Sequence, residues 1–196
     1  MAPPLNRTRR RPLLAPLLVP LLLALAAGAG IFWIATWART TVVILIRHAE
    51  AAPAGAGDPD LSQAGEDRVR GLGEYLAGVL AGGRVDYLYA ADTRRSQQTA
   101  APVANQFRLP INLIAASDWD GLASRIRREH RGDTVAVVGY ASTLPGLVRQ
   151  LSATNIAMSE EQYDSIFVVV MPSPGETRVF QLRYGPPPRS APAPGS

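Results

Sequence analysis

The chain has 196 residues, enough for one domain with appendages. It has no cysteine, and its two histidines, His48 and His130, lie 82 positions apart, which excludes a disulfide framework, a thiolate metal site and any short-spaced histidine metal site. All 20 basic residues are arginine, which removes Schiff-base and Walker-lysine chemistry; four of them (Arg7, Arg9, Arg10, Arg11) form a tail, and the other 16 match the 16 acids, so the body is neutral and lacks a nucleic-acid footprint.

Residues 1–12 read as a basic cytoplasmic tail. From Pro12 to Ala38 the chain carries no charge for 27 residues. A bilayer core needs roughly 20 apolar residues. Pro16 and Pro20 disfavour a helix interior, so the expected helix starts near Pro20, where proline suits a first turn. Phe32, Trp33 and Trp37 cluster at the far end like an interfacial belt, and the arginines keep the near end inside. Segment 13–38 is therefore expected to be a transmembrane anchor. A cleaved signal peptide with small residues at Ala24–Gly30 is the competing reading. Either one sends residues 39–184 out of the cytoplasm, to the periplasm of a bacterial cell.

The body alternates two periodicities. Thr41–Ile46 is a continuous β-branched run, as in a strand buried on both faces. Ser62–Ala81 has helical spacing and closes on Gly82-Gly83. Val85–Tyr89 reads as a strand, and Thr93–Phe107 as a helix that Pro102 kinks or breaks. Ile111–Ala115 is a third strand. Asp118–His130 is a helix whose exposed last turn holds His130. Thr134–Val138 is another buried strand, and Ser142–Leu151 a helix with Pro145 in its first turn. Ser165–Met171 and Thr177–Tyr184 flank PSPGE, a hairpin signal. Residues 185–196 are rich in Pro, Ala and Ser and read as a disordered tail. The expectation is an α/β fold, a mostly parallel sheet with helices on both faces, preceded by one N-terminal transmembrane helix.

Ligands of such sheets sit beyond the carboxyl ends of the strands. Those ends nominate Arg47-His48-Ala49-Glu50, then Ala90–Arg95, then Gly139-Tyr140-Ala141. A histidine is a nucleophile or an acid–base group near neutrality, and guanidinium forks fit phosphate. Ion pairing of Arg47 and Arg95 with Asp92 or Glu50 accounts for the same residues equally well. The Arg7–Arg11 cluster as a nucleic-acid arm is the poorer account of the tail.

LIRHAE, DLSQAG, YAADTRRSQQTA and VVGYASTLPGLV, in this order, resemble the histidine phosphatase superfamily, which includes the phosphoglycerate mutases, over about Thr41–Tyr184. The resemblance implies that His48 becomes phosphorylated and that Arg47 and Arg95 clamp the phosphoryl group. Arg94 and Glu50 join the substrate-binding set. The family's third motif reads Gly-His, whereas this chain has Gly139-Tyr140; tyrosine gives one neutral hydrogen bond in place of a cation. The proton donor to the leaving group is open among Asp92, Asp118 and Glu50. The implied activity is that of a membrane-anchored, metal-free and cofactor-free phosphatase, slowed by Tyr140, acting on a small phosphorylated compound and not on nucleic acid. The alternatives are a catalytically inactive relative that binds a phosphorylated ligand, and an envelope protein using the fold as a scaffold.

Overall fold

The apolar, β-branched run after Arg39 forms the centre of the sheet in a computed structural model, which describes residues 15–37, 39–53 and 57–185. The chain divides into two units, 1–38 and 39–196.

The first unit contributes helix α1 (Ala15–Trp37), with Pro20 inside it. It thus starts five residues earlier than proline chemistry predicts; Pro20 forfeits one hydrogen bond in the second turn and does not set the boundary. Among the described residues, no helix is long and apolar enough to cross a membrane. The stretch of α1 whose side chains are described, Leu18 to Trp33, is 16 residues long. The basic tail 1–12 and residues 186–196 lie outside the described residues.

The second unit is a six-stranded mixed sheet. Its strands are β1 (Arg39–Arg47), β2 (Tyr87–Ala91), β3 (Ile111–Ile114), β4 (Thr134–Gly139), β5 (Ser165–Ser173) and β6 (Arg178–Arg183), in the order β3-β2-β4-β1-β5-β6. The first four are mutually parallel; β5 and β6 add an antiparallel hairpin at one edge.

Helices cover both faces, and the side-chain alternation of β1 decides which. Val43 and Leu45 pack with α5 (Trp119–Glu129) and α6 (Leu144–Ser152) through Leu122, Ile126, Leu147 and Leu151. Ile44 and Ile46 pack with α3 (Leu72–Val79) and α4 (Arg94–Phe107) through Leu72, Leu76, Ala100 and Val103. These residues of β1 are at most 1% exposed, as expected for a strand covered on both sides.

Two expectations need correction. The helix expected over Ser62–Ala81 is two, α2 (Gln63–Val69) and α3, because Arg70-Gly71 forms a turn between them. Helix α4 runs through Pro102 without a break. The Pro102 carbonyl faces Gly73, where a Cβ would come within 2.5 Å of it, so the proline sits in a close helix crossing. A 3-10 turn (Ala116–Asp118) precedes α5.

Candidate active site

The order β2-β4-β1 lays the three nominated strand ends side by side. Arg47 is in register with Gly139, and Ala90 with Val138. The His48 amide donates to the Gly139 carbonyl at 3.0 Å, which carries the pairing one residue past the strand. Gly139 permits this packing, since a Cβ there would meet the Trp119 ring at 2.5 Å.

The segment after His48 is fixed from two sides. The Ala49 amide donates to Thr99 Oγ1 (3.0 Å), whose hydroxyl donates to the Arg95 carbonyl (2.7 Å). Thus the His48 loop is tied to the turn of α4 that carries Arg95. The Glu50 carbonyl accepts from the Ser62 amide at 2.8 Å, and Gly65 packs directly against that carbonyl, leaving no room for a side chain. Ser62 also caps α2 by accepting from the Gly65 amide.

His48 is 8% exposed, and its Nδ1 lies 2.8 Å from the Ala49 carbonyl. A carbonyl only accepts, so Nδ1 carries the proton and Nε2 keeps its lone pair. Burial is the largest influence on this ring, with the Arg95 and Arg47 cations adding to it; against the Ala49 bond and the Glu160 carboxylate, they bring its pKa down to about 4. At neutral pH the imidazole is uncharged.

Arg47 is 2% exposed. Its Nη1 donates to the Ser159 carbonyl (2.8 Å) and its Nη2 to Glu160 Oε2 (3.1 Å), and the guanidinium lies 4.0 Å from the Tyr163 ring centroid. Arg95 places its guanidinium 5.4 Å from the Tyr140 ring centroid. The His48 ring meets the same tyrosine edge-on at 5.7 Å. Tyr140 therefore neighbours both the imidazole and the second guanidinium. Its hydroxyl donates to Thr93 Oγ1 at 3.0 Å. The Nε atoms of Arg47 and Arg95 are buried without a protein partner.

The structure thus brings together Arg47, His48, Arg95 and Tyr140, and sends two nominated residues elsewhere. Arg94 is exposed, its Nη2 2.9 Å from Asp60 and its amide bound to Asp58. Glu50 is held by Arg68, whose Nε donates to both carboxylate oxygens at 2.9 and 2.8 Å. Burial works to raise the Glu50 pKa, and the Arg68 bonds override it and lower it. That carboxylate braces the His48 loop, and Arg68 holds it in its charged form. Asp92 and Asp118 are exposed on the loops that follow β2 and β3.

His130 is not an exposed helix end. It is 4% exposed, with Nε2 2.8 Å from the Tyr89 hydroxyl and its ring 4.1 Å from that of Tyr87. Thr41 Oγ1 donates to its carbonyl. Tyr87 and Thr41 belong to the amino-terminal ends of their strands, so this histidine sits at the end of the sheet away from His48.

Sequence reasoning did not find Ser159, Glu160 or Tyr163, because the stretch between α6 and β5 has no periodicity and no strand end to mark it. It also missed Arg68, which reads as one charge on a helix face. Among the described residues, no group of three or more His, Asp or Glu is gathered to hold a metal ion.

Residues 43–122 match the family described as the histidine phosphatase superfamily (branch 1). No curated protein matches the chain. Among solved structures, the protein histidine phosphatase SixA complexed with tungstate is similar with a TM-score of 0.60 at 19% identity, over 72% of this chain and 96% of that one. A phosphoglycerate mutase from Plasmodium falciparum is similar with a TM-score of 0.51 at 17% identity, over 78% and 98%. A mycobacterial glucosyl-3-phosphoglycerate phosphatase gives 0.51 at 13% identity, over 75% and 100%. Tyr140 lies beyond the matched stretch. The segment 43–122, which carries Arg47, His48 and Arg95, thus matches the histidine phosphatase superfamily (branch 1), and the chain shares the fold of those three structures.

Proposed function

We propose that the chain is a phosphomonoesterase that works through a phosphohistidine at His48. The carrying observation is the imidazole itself: neutral, buried, its Nδ1–H fixed on the Ala49 carbonyl, its lone pair on Nε2, with the Arg47 and Arg95 cations close enough to act on the ring. Nε2 attacks phosphorus in line, and the ester P–O bond breaks as the N–P bond forms. The leaving oxygen keeps the bonding pair and takes a proton from solvent. Water then attacks the phosphohistidine, the N–P bond breaks, and inorganic phosphate leaves with His48 restored. The two guanidiniums bind the nonbridging oxygens, where charge stays throughout. The neutral body favours a small phosphorylated compound over nucleic acid.

The test is release of phosphate from an aryl phosphate by the full chain. His48-dependent turnover is expected; equal rates in wild type and His48→Ala overturn the reading.

A specific observation favours a second reading, an inactive relative that binds a phosphorylated ligand. Tyr140 spends its hydroxyl on Thr93 and brings no cation to the pocket. On that reading phosphate raises the melting temperature of the protein while no substrate turns over.

The proposal extends to location. The uncharged run Pro12–Ala38 and the exposure of Leu21, Leu22, Leu23, Leu25, Ile31, Phe32 and Trp33 on α1 support a membrane anchor with the catalytic body outside the cytoplasm. Sedimentation of the intact chain with membranes, resistant to carbonate washing, is expected. Recovery in the soluble fraction overturns the anchor.

A further inference from the structure

Arg47 has both terminal nitrogens engaged in this structure, and only its Nε is without a protein partner. A guanidinium presents its N–H groups in a fixed fork that fits a carboxylate and a phosphate alike. Here one terminal nitrogen is taken by the Ser159 carbonyl and the other by a carboxylate of the chain itself, Glu160. The same carboxylate is close enough to His48 to act on its charge.

We propose that Glu160 is a resident counter-anion of the phosphoryl site: its carboxylate holds a position on Arg47 that a phosphoryl oxygen takes, and it withdraws when that group binds. The inference rests on the phosphomonoesterase reading for what the incoming anion is.

The two partners are unequal, and the inequality says which one moves. The Arg47 side chain is 2% exposed and that of Glu160 is 74% exposed. The guanidinium is walled in by Tyr163 and the end of the sheet. The acid is held at one end only, and water is ready to solvate it when it leaves. An ion pair with a solvated partner is weak, so a phosphoryl dianion that engages Arg47 and Arg95 together displaces it.

The chain around Glu160 fits that movement. On one side Ile156 and Met158 pack against the core. On the other Asp164 is buried and bound by Arg183 at 3.0 Å. Between these fixed points Ser159–Gln162 is a small turn closed on itself, with the Gln162 amide donating to the Ser159 carbonyl and the Glu161 amide to Ser159 Oγ. The turn lifts as a unit, and the Ser159 carbonyl leaves Nη1 in the same movement. Occupation of Arg47 by Glu160 lowers the apparent affinity for every anion by the fraction of time the site is open. It also returns a carboxylate to Arg47 as product phosphate departs.

The experiment measures the dissociation constants of inorganic phosphate and of vanadate by calorimetry on the full chain in detergent. The variants are Glu160→Gln, which keeps shape and removes charge, Glu160→Ala, and Glu176→Gln as a charge-matched change in the distant β5–β6 turn. Unliganded melting temperatures check folding. Both Glu160 variants are expected to bind each anion about tenfold tighter, as for a site closed about nine-tenths of the time, with Glu176→Gln like wild type. Binding no tighter than wild type, with the melting temperature kept, overturns the proposal. Tighter binding without His48-dependent turnover upholds the counter-anion and overturns the phosphatase reading. Turnover with unchanged binding overturns the counter-anion alone, and no anion binding by any variant overturns both.

Discussion

The hydroxyl of Tyr140 donates to Thr93 Oγ1 at 3.0 Å, and this fixes the ring beside both His48 and Arg95. Its contribution to the pocket is the ring, which supports the guanidinium by a cation–π contact. Tyr140→Phe keeps that ring and is expected to leave kcat within about threefold, since the bond removed is worth about 1 kcal/mol and is made to Thr93. Tyr140→His supplies a donor that can carry charge and is expected to raise kcat on the order of 10²-fold. Steady-state kinetics on one aryl phosphate check both. No gain in Tyr140→His with phosphate binding retained is the outcome expected of an inactive relative.

Acid should affect activity late and stability early. On the proposed function His48 must be neutral to attack, and its pKa of about 4 lies well below the ordinary histidine range. The acid limb of kcat/KM is expected near pH 4, and a limb near pH 6.5 would contradict the burial argument. For stability the sign is the reverse of a paired histidine. Between pH 6.5 and 4 the unfolded chain binds a proton at this position that the folded chain refuses, so stability falls as pH falls across that window. The loss is on the order of 3 kcal/mol for one group moved by this much. Chemical denaturation of wild type and His48→Asn at pH 7 and pH 4.5 measures it; the variant should show the smaller decrease.

Arg68 holds the far side of the His48 loop through Glu50. Arg68→Ala strands a partly buried carboxylate, and breaking such a pair on one side costs about 3 kcal/mol. The double variant Arg68→Leu with Glu50→Leu removes both charges and is expected to recover much of that loss in denaturant midpoint while kcat stays low, because the loop has lost its brace.

His130 makes the opposite prediction. It is buried between Tyr87 and Tyr89 at the end of the sheet remote from the site. His130→Ala is expected to cost about 2–3 kcal/mol through the emptied space and the lost Tyr89 bond, with kcat and KM unchanged. A fall in kcat at unchanged stability would tie this histidine to the chemistry.

The parallel core was legible because its strands are covered on both sides. Thr41–Ile46 and Thr134–Val138 have no polar interruption, and a run of that kind has few other homes. The strand-end rule then found Arg47, His48, Arg95 and Tyr140 without geometry. It nominated Arg94 and Glu50 as well, since adjacency in sequence cannot tell a side chain facing the pocket from one turned to Asp60 or Arg68. The break at Arg70-Gly71 was hidden because apolar spacing survives on either side of it. His130 was misplaced because the charged residues around it, Arg127, Arg128 and Arg131, mark a solvated helix end, while its own partners, Tyr87, Tyr89 and Thr41, come from other strands. Glu160 was out of reach for the same reason: what makes it notable is Arg47, 113 residues earlier.

The pairing of β1 has a consequence for how the molecule is made. Val42 finds Thr134 on one side and Val170 on the other. The strand that leads into His48 is synthesised early, yet both of its neighbours emerge late. During translation its apolar ribbon has neither edge satisfied, which exposes it to mispairing with other nascent chains. Slow, long-range closure of this kind makes folding all-or-nothing for the pocket around His48. A ribosome stalled after α4 has already placed Arg47, His48 and Arg95 in the polypeptide but cannot yet have built a pocket from them.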